Sequence, residues 1–162
     1  MANAHRGGIP QVGEPQADPL HGLALAPTDP GERIHLDRLP DLRLCADLSH
    51  YVIDREMRLP LGDRDRGYMS RILAHSDCFQ GRVANREQVQ VQLDFPQHEA
   101  WVAQFRAWWE EGIRGWRARS APDAELVFLC ELGPPPYAMT DAAQQELSDR
   151  WAEALTIRDW VR

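Results

Sequence analysis

With 162 residues, 43% of them apolar and 27% charged, the chain has the composition of a soluble globular domain with a real core. It has no apolar stretch near the roughly 20 residues of a membrane helix and no secretory core after Met1. A cytoplasmic setting without a membrane partner is therefore expected. The net charge of −7, with 18 basic residues scattered among 25 acidic ones, argues against a nucleic-acid partner, because phosphate neutralisation needs a basic surface.

The first segment, Gly7 to Gly31, carries Pro10, Pro15, Pro19, Pro27 and Pro30 and shows neither helical nor strand periodicity. It reads as a long loop, and residues before His5 read as the tail of a strand. The main domain is expected over residues 32–162. Pro30 to Leu39 has room for one or two helical turns that stop at Pro40. Leu42 to Leu48 is a short apolar run and predicts a strand. Asp63 to His75, with Tyr68, Ile72 and Leu73 at helical spacing, predicts a helix.

Asp77 to Ala84 is the second candidate strand, weakened by Gly81. From Asp94-Phe95-Pro96 onward, Trp101, Phe105, Trp108 and Trp116 recur at steps of three and four, with Val102, Trp109 and Ile113 widening the stripe. This predicts a long helix with Pro96 in its first turn and the aromatic stripe in the core. Glu125 to Leu132 is nearly all apolar and ends at Gly133-Pro134-Pro135-Pro136, as a fully buried parallel strand does. Thr140 is placed to cap a last helix whose Leu147, Trp151, Ala154 and Leu155 share a face. Strand and helix alternate three times, so the fold class expected is α/β, with three to four parallel strands and covering helices.

In parallel βα architecture the chemistry gathers where strands end. Those ends offer Asp47 and His50, then Gln80 and Arg82, then Glu131. Asp, Glu and Arg at the last turn of a buried strand have no packing rationale of their own. Strand alternation puts Cys45 on the face of Asp47, and Cys78 on that of Gln80, so the two thiols should be neighbours beneath the cluster. Cys130 should face the helices. The three cysteines, odd in number and without CxxC spacing, read as reduced, buried thiols. A plainer reading also stands, in which Asp47 and Glu131 pair with Arg82 in a structural network and His50 caps the following helix. His5, His21, His35, His75 and His98 share no metal-ligand spacing and read as surface or loop residues.

Four segments, taken in order, resemble a known superfamily. Leu39-Pro40-Asp41-Leu42-Arg43-Leu44-Cys45-Ala46-Asp47-Leu48-Ser49-His50-Tyr51 resembles the sixth-strand segment of xylose isomerase-like TIM barrels, the sugar phosphate isomerases and epimerases. Cys78-Phe79-Gln80-Gly81-Arg82-Val83 resembles the seventh, Cys130-Glu131-Leu132-Gly133-Pro134-Pro135-Pro136-Tyr137 the eighth, and Asn3-Ala4-His5-Arg6-Gly7 the end of the fifth. The resemblance implies a partial TIM barrel, the C-terminal half only, since a whole barrel takes about 250 residues.

It also implies a small-molecule carbohydrate substrate and a divalent metal (Mn, Mg, Co or Zn). By the same resemblance Glu131 would act as the base in proton transfer next to a carbonyl, His50 would be the second catalytic residue, and His50, Arg82 and His5 would contact the substrate. The metal positions correspond to Asn3, Asp47, Gln80 and Glu131. The family's Glu and His at the first and third of these are Asn3 and Gln80 here, so the metal is expected to bind weakly and isomerase or epimerase activity to be impaired. The alternative is a non-catalytic truncated relative that binds a small polyol or a partner chain. Abasic-site endonuclease chemistry, also found in the superfamily, is disfavoured by the acidic charge and the lost His. An open half-barrel exposes two sheet edges and an apolar inner face, which predicts a homodimer or a complex with a separate N-terminal half.

Overall fold

The computed structural model describes Leu36 and residues 39–162. Asn3, His5, the Gly7–Gly31 segment and nearly all of the proposed helical turns from Pro30 lie outside the described residues. Residues from Arg33 onward form one compact unit.

Three strands, β1 (Leu44–Asp47), β2 (Ser76–Gly81) and β3 (Val127–Cys130), form one parallel sheet in the order β1-β2-β3. The α/β class and parallel topology expected from the alternation are therefore present, as an open three-stranded sheet. Among the described residues β1 and β3 are its edges. No helix described here is long and apolar enough to cross a membrane.

Four helices accompany the sheet: α1 (Leu48–Asp54), α2 (Asp63–Ala74), α3 (Glu99–Arg119) and α4 (Arg150–Trp160). α1 starts with no intervening loop, because Asp47, the last residue of β1, is also its N-cap and accepts from the Ser49 N–H at 3.0 Å. His50 therefore lies inside the helix and caps nothing. α2 carries Asp63 and Asp65 in its first turn and Arg71 in its last, matching the helix dipole. Pro96 sits in a short 3-10 turn, Pro96–His98, that leads into α3.

The aromatic stripe of α3 is core, as its spacing predicts. Trp101, Phe105, Trp108, Trp109 and Trp116 are buried, and Phe105 makes edge-on contacts with Trp108 and Trp109 at 5.3 and 5.7 Å. Trp109 in turn meets Phe128 of β3 edge-on at 5.5 Å. Each of these large side chains, once fully buried, contributes roughly 1.5–3 kcal/mol.

The last helix departs from expectation. Thr140 caps nothing; it bridges to Glu146, and α4 begins ten residues later with Asp149 as N-cap, accepting from Ala152 N–H at 2.9 Å. The Asp141 carboxylate explains why, since it accepts from the backbone of both Ala143 and Gln145 and so holds a turn in place of a helix. Gln144 has φ 61° there, a left-handed conformation incompatible with a continuing helix. The buried face of α4 is Arg150, Glu153 and Ile157, while Leu147 and Trp151 are exposed. Arg150 donates to the Val91 carbonyl and Glu153 accepts from Leu93 N–H, so α4 fastens the segment after β2.

Two burial expectations are also corrected. β3 is not covered on both sides: Phe128 and Cys130 face the core, whereas Val127 and Leu129 are 62% and 53% exposed. His98, expected on the surface, is buried with Nδ1 3.0 Å from the Gln92 carbonyl.

Gly81 fixes the spacing of this layer. A Cβ there would fall 2.4 Å from the Phe128 ring and 2.9 Å from Ile157, so β2 meets β3 and α4 only because no side chain intervenes. Gly81→Ala is expected to lower stability by about 1–3 kcal/mol, the range of an overpacked core. Urea unfolding followed by tryptophan fluorescence checks this, and an unchanged midpoint would contradict it.

Candidate functional site

Parallel pairing sets the site directly. Cys45 lies opposite Cys78, Ala46 opposite Phe79, and Asp47 opposite Gln80. Gln80 lies opposite Leu129 and Gly81 opposite Cys130, and Glu131 follows with its N–H bonded to the Gly81 carbonyl at 3.1 Å. Asp47, Gln80 and Glu131 are thereby brought together at the C-terminal end of the sheet. Arg82 follows β2, and His50 stands on the first turn of α1.

Asp47 is buried, 9% exposed, and every lone pair it offers is used. Oδ1 accepts from the Ser49 N–H at 3.0 Å and the Ser49 hydroxyl at 2.6 Å. Oδ2 accepts from Arg82 Nη2 and lies 3.2 Å from His50 Nε2. Arg82, only 3% exposed, also donates through Nε to Ser49 Oγ at 3.2 Å and reaches Glu131 Oε1 at 3.6 Å. The guanidinium thus spans both carboxylates, the geometry that Arg provides and Lys does not. His50 Nε2 also lies 3.2 Å from Arg82 Nη2. A single nitrogen cannot accept from Arg82 and donate to Asp47 at once, so the ring's proton decides which neighbour it serves.

Gln80 completes the cluster, and one of its two amide orientations satisfies the surroundings. With the NH2 inward it donates to Asp47 Oδ2 at 3.1 Å and to Glu131 Oε2. With the carbonyl inward, the amide oxygen would face both carboxylates, and Arg82 would be the donor they share. The donor set does not fit a closed divalent site. Two carboxylates converge, both reached by Arg82, and among the described residues no group of three His, Cys, Asp or Glu is placed to hold a metal. Asn3, the first metal position that the resemblance implies, and His5 lie outside the described residues.

Below the cluster, Cys45 and Cys78 face each other with their sulfurs 3.0 Å apart, as the alternation predicts. They are not buried thiols, however: Cys45 is exposed and Cys78 half-buried. Desolvation first, then the bond to Cys78 and the electrostatic interaction with Cys78 and Asp47, push the Cys45 thiol up to about 11. Cys130 faces the other way and packs against the core.

Gln90, which sequence reasoning does not single out, holds the loop beyond Glu131. Its buried amide donates to the Gly133 carbonyl and accepts from the Gly133 N–H, both at 3.0 Å. A lone Gln in a polar stretch carries no signal for such a reciprocal clamp. The Gly133-Pro134-Pro135-Pro136 turn over the site is thus anchored from the β2 side. A cavity of about 650 Å³ elsewhere, lined by Trp109, Ile113 and Trp160 with Arg106 and Arg114, includes none of the cluster residues.

No family model matches the chain, and neither a curated protein nor a solved structure matches it.

The Arg82–Asp47 pair is close to fully desolvated, so removal of Arg82 leaves the buried Asp47 carboxylate without its buried countercharge. Arg82→Ala is expected to cost roughly 3–5 kcal/mol, well beyond an average surface change. Chemical denaturation measures it, and a loss below about 1 kcal/mol would show that water replaces the guanidinium.

Proposed function

We propose that this chain is a sugar or sugar-phosphate isomerase-like protein whose strand-end cluster binds a small polyhydroxylated ligand without metal-dependent proton transfer. The observation that carries this reading is the Gln80 amide set between the Asp47 and Glu131 carboxylates, with Arg82 across both. Donors occupy the place a cation would need, so the family's metal-stabilised enediolate has no support in these residues. What remains at the rim suits hydroxyl recognition. Glu131 is 43% exposed at its side chain and His50 68%, so a carboxylate acceptor and an imidazole both reach solvent beside a buried guanidinium.

Proton transfer would need Glu131 free of its donors and a polarising group on the carbonyl oxygen. Gln80 and Arg82 engage Glu131 instead, which lowers its availability as a base. The reading therefore favours the binding role over the isomerase role, while both draw on the same resemblance of the strand-end segments.

Assembly follows from the same half-barrel reading. Val127 and Leu129 expose apolar surface on an edge strand, and such edges are commonly covered by another chain. A second copy or a separate N-terminal half would cover it, and sedimentation at micromolar concentration distinguishes these from a monomer.

Ligand-observed NMR with a panel of pentoses, hexoses and their phosphates tests the binding role. Saturable binding that persists in EDTA is expected, weakened on the order of tenfold or more in Glu131→Gln through loss of a charge-assisted acceptor. Binding abolished by EDTA, or turnover of any of these sugars on addition of Mn²⁺, would contradict it.

A further inference from the structure

Beyond this reading, and for the chain while its open sheet face is uncovered, we infer that Cys45 and Cys78 form a site of reversible disulfide modification, with a small disulfide such as oxidised glutathione as oxidant. The two residues are direct partners on adjacent parallel strands, their sulfurs 3.0 Å apart. Neighbouring strands lie about 4.8 Å apart, inside the roughly 4.4–6.8 Å window of Cα separations that a disulfide spans. The sulfurs already touch, so closure to a bond of about 2 Å brings them only about 1 Å closer.

Access separates this pair from ordinary core thiols. Cys45 is exposed on an edge strand and Cys78 is half-buried, on the sheet face that also exposes Val127 and Leu129. A glutathione-sized molecule therefore reaches at least the first sulfur. Cys130, by contrast, faces the core side of β3 and has neither thiol as a strand partner.

The reaction balances with the oxidant alone. One cysteine sulfur, as its thiolate, attacks a sulfur of oxidised glutathione and expels one glutathione thiolate, which takes up the proton. The second cysteine then attacks the protein sulfur of this mixed disulfide and expels the second glutathione. The protein dithiol loses two electrons and two protons, and one glutathione disulfide becomes two thiols. The bridge so formed ties β1 to β2 two register steps below Asp47 and Gln80 and becomes the floor of the candidate site.

The full chain is incubated with oxidised glutathione, quenched with acid, and studied by intact mass, peptide mapping and thermal unfolding. The expected product has lost two hydrogens, yields a linked Cys45–Cys78 peptide, and keeps Cys130 as a free thiol. Its melting temperature should rise on the order of 10 °C, because the bridge closes a loop spanning 33 positions. In Cys78→Ser a glutathione adduct should persist on Cys45 for want of a resolving thiol, without that rise. A persistent adduct on Cys45 of the natural chain would overturn the inference. So would a Cys45-to-Cys45 dimer with Cys78 free, or two cysteines that stay reduced throughout.

Discussion

A carboxylate withdrawn from water must be met by donors, and the way Asp47 is met organises this end of the molecule. One oxygen starts a helix, through the Ser49 N–H and hydroxyl, while the other holds Arg82 and the Gln80 amide. A single side chain thus joins the last residue of β1, the first turn of α1 and the end of β2. Glu131 is drawn in from β3 by the same two donors. Asp47 and Arg82 each hold several of the other members, which is why the cluster is one connected network rather than a set of independent contacts.

That unit has a chemical consequence. Metal-assisted proton transfer needs carboxylate oxygens turned towards an open position, and here both carboxylates are reached by the Arg82 guanidinium. Substituting an amide for an imidazole changes more than ligand strength. A neutral imidazole nitrogen offers a lone pair to a cation, whereas the Gln80 amide can turn a donor inward and remove the need for one.

Much of the frame was legible because it follows from short-range periodicity. Alternation along the strands placed Cys45, Cys78 and Gln80 on one face, and the spacing from Trp101 to Trp116 placed α3 on the sheet. Features set by side-chain hydrogen bonds were less visible. The seven-residue α1 follows β1 without a gap, so its apolar residues read as an extension of the strand. Residues 140–148 contain good helix formers, yet Asp141 diverts their backbone into a turn. The apolar run of β3 gave no sign that one of its faces would be left open, because burial of that face depends on neighbours that local sequence does not encode.

Calorimetric titration with Mn²⁺ tests the central claim most directly, applied to the natural chain and to a Gln80→His, Asn3→Glu variant. The account predicts little or no heat from the natural chain and clear, tighter binding by the variant, since a ligand nitrogen would replace the Gln80 amide and a third carboxylate would join the proposed ligand set. Tight binding by the natural chain, abolished by Asp47→Ala, would contradict it and restore a working metal site.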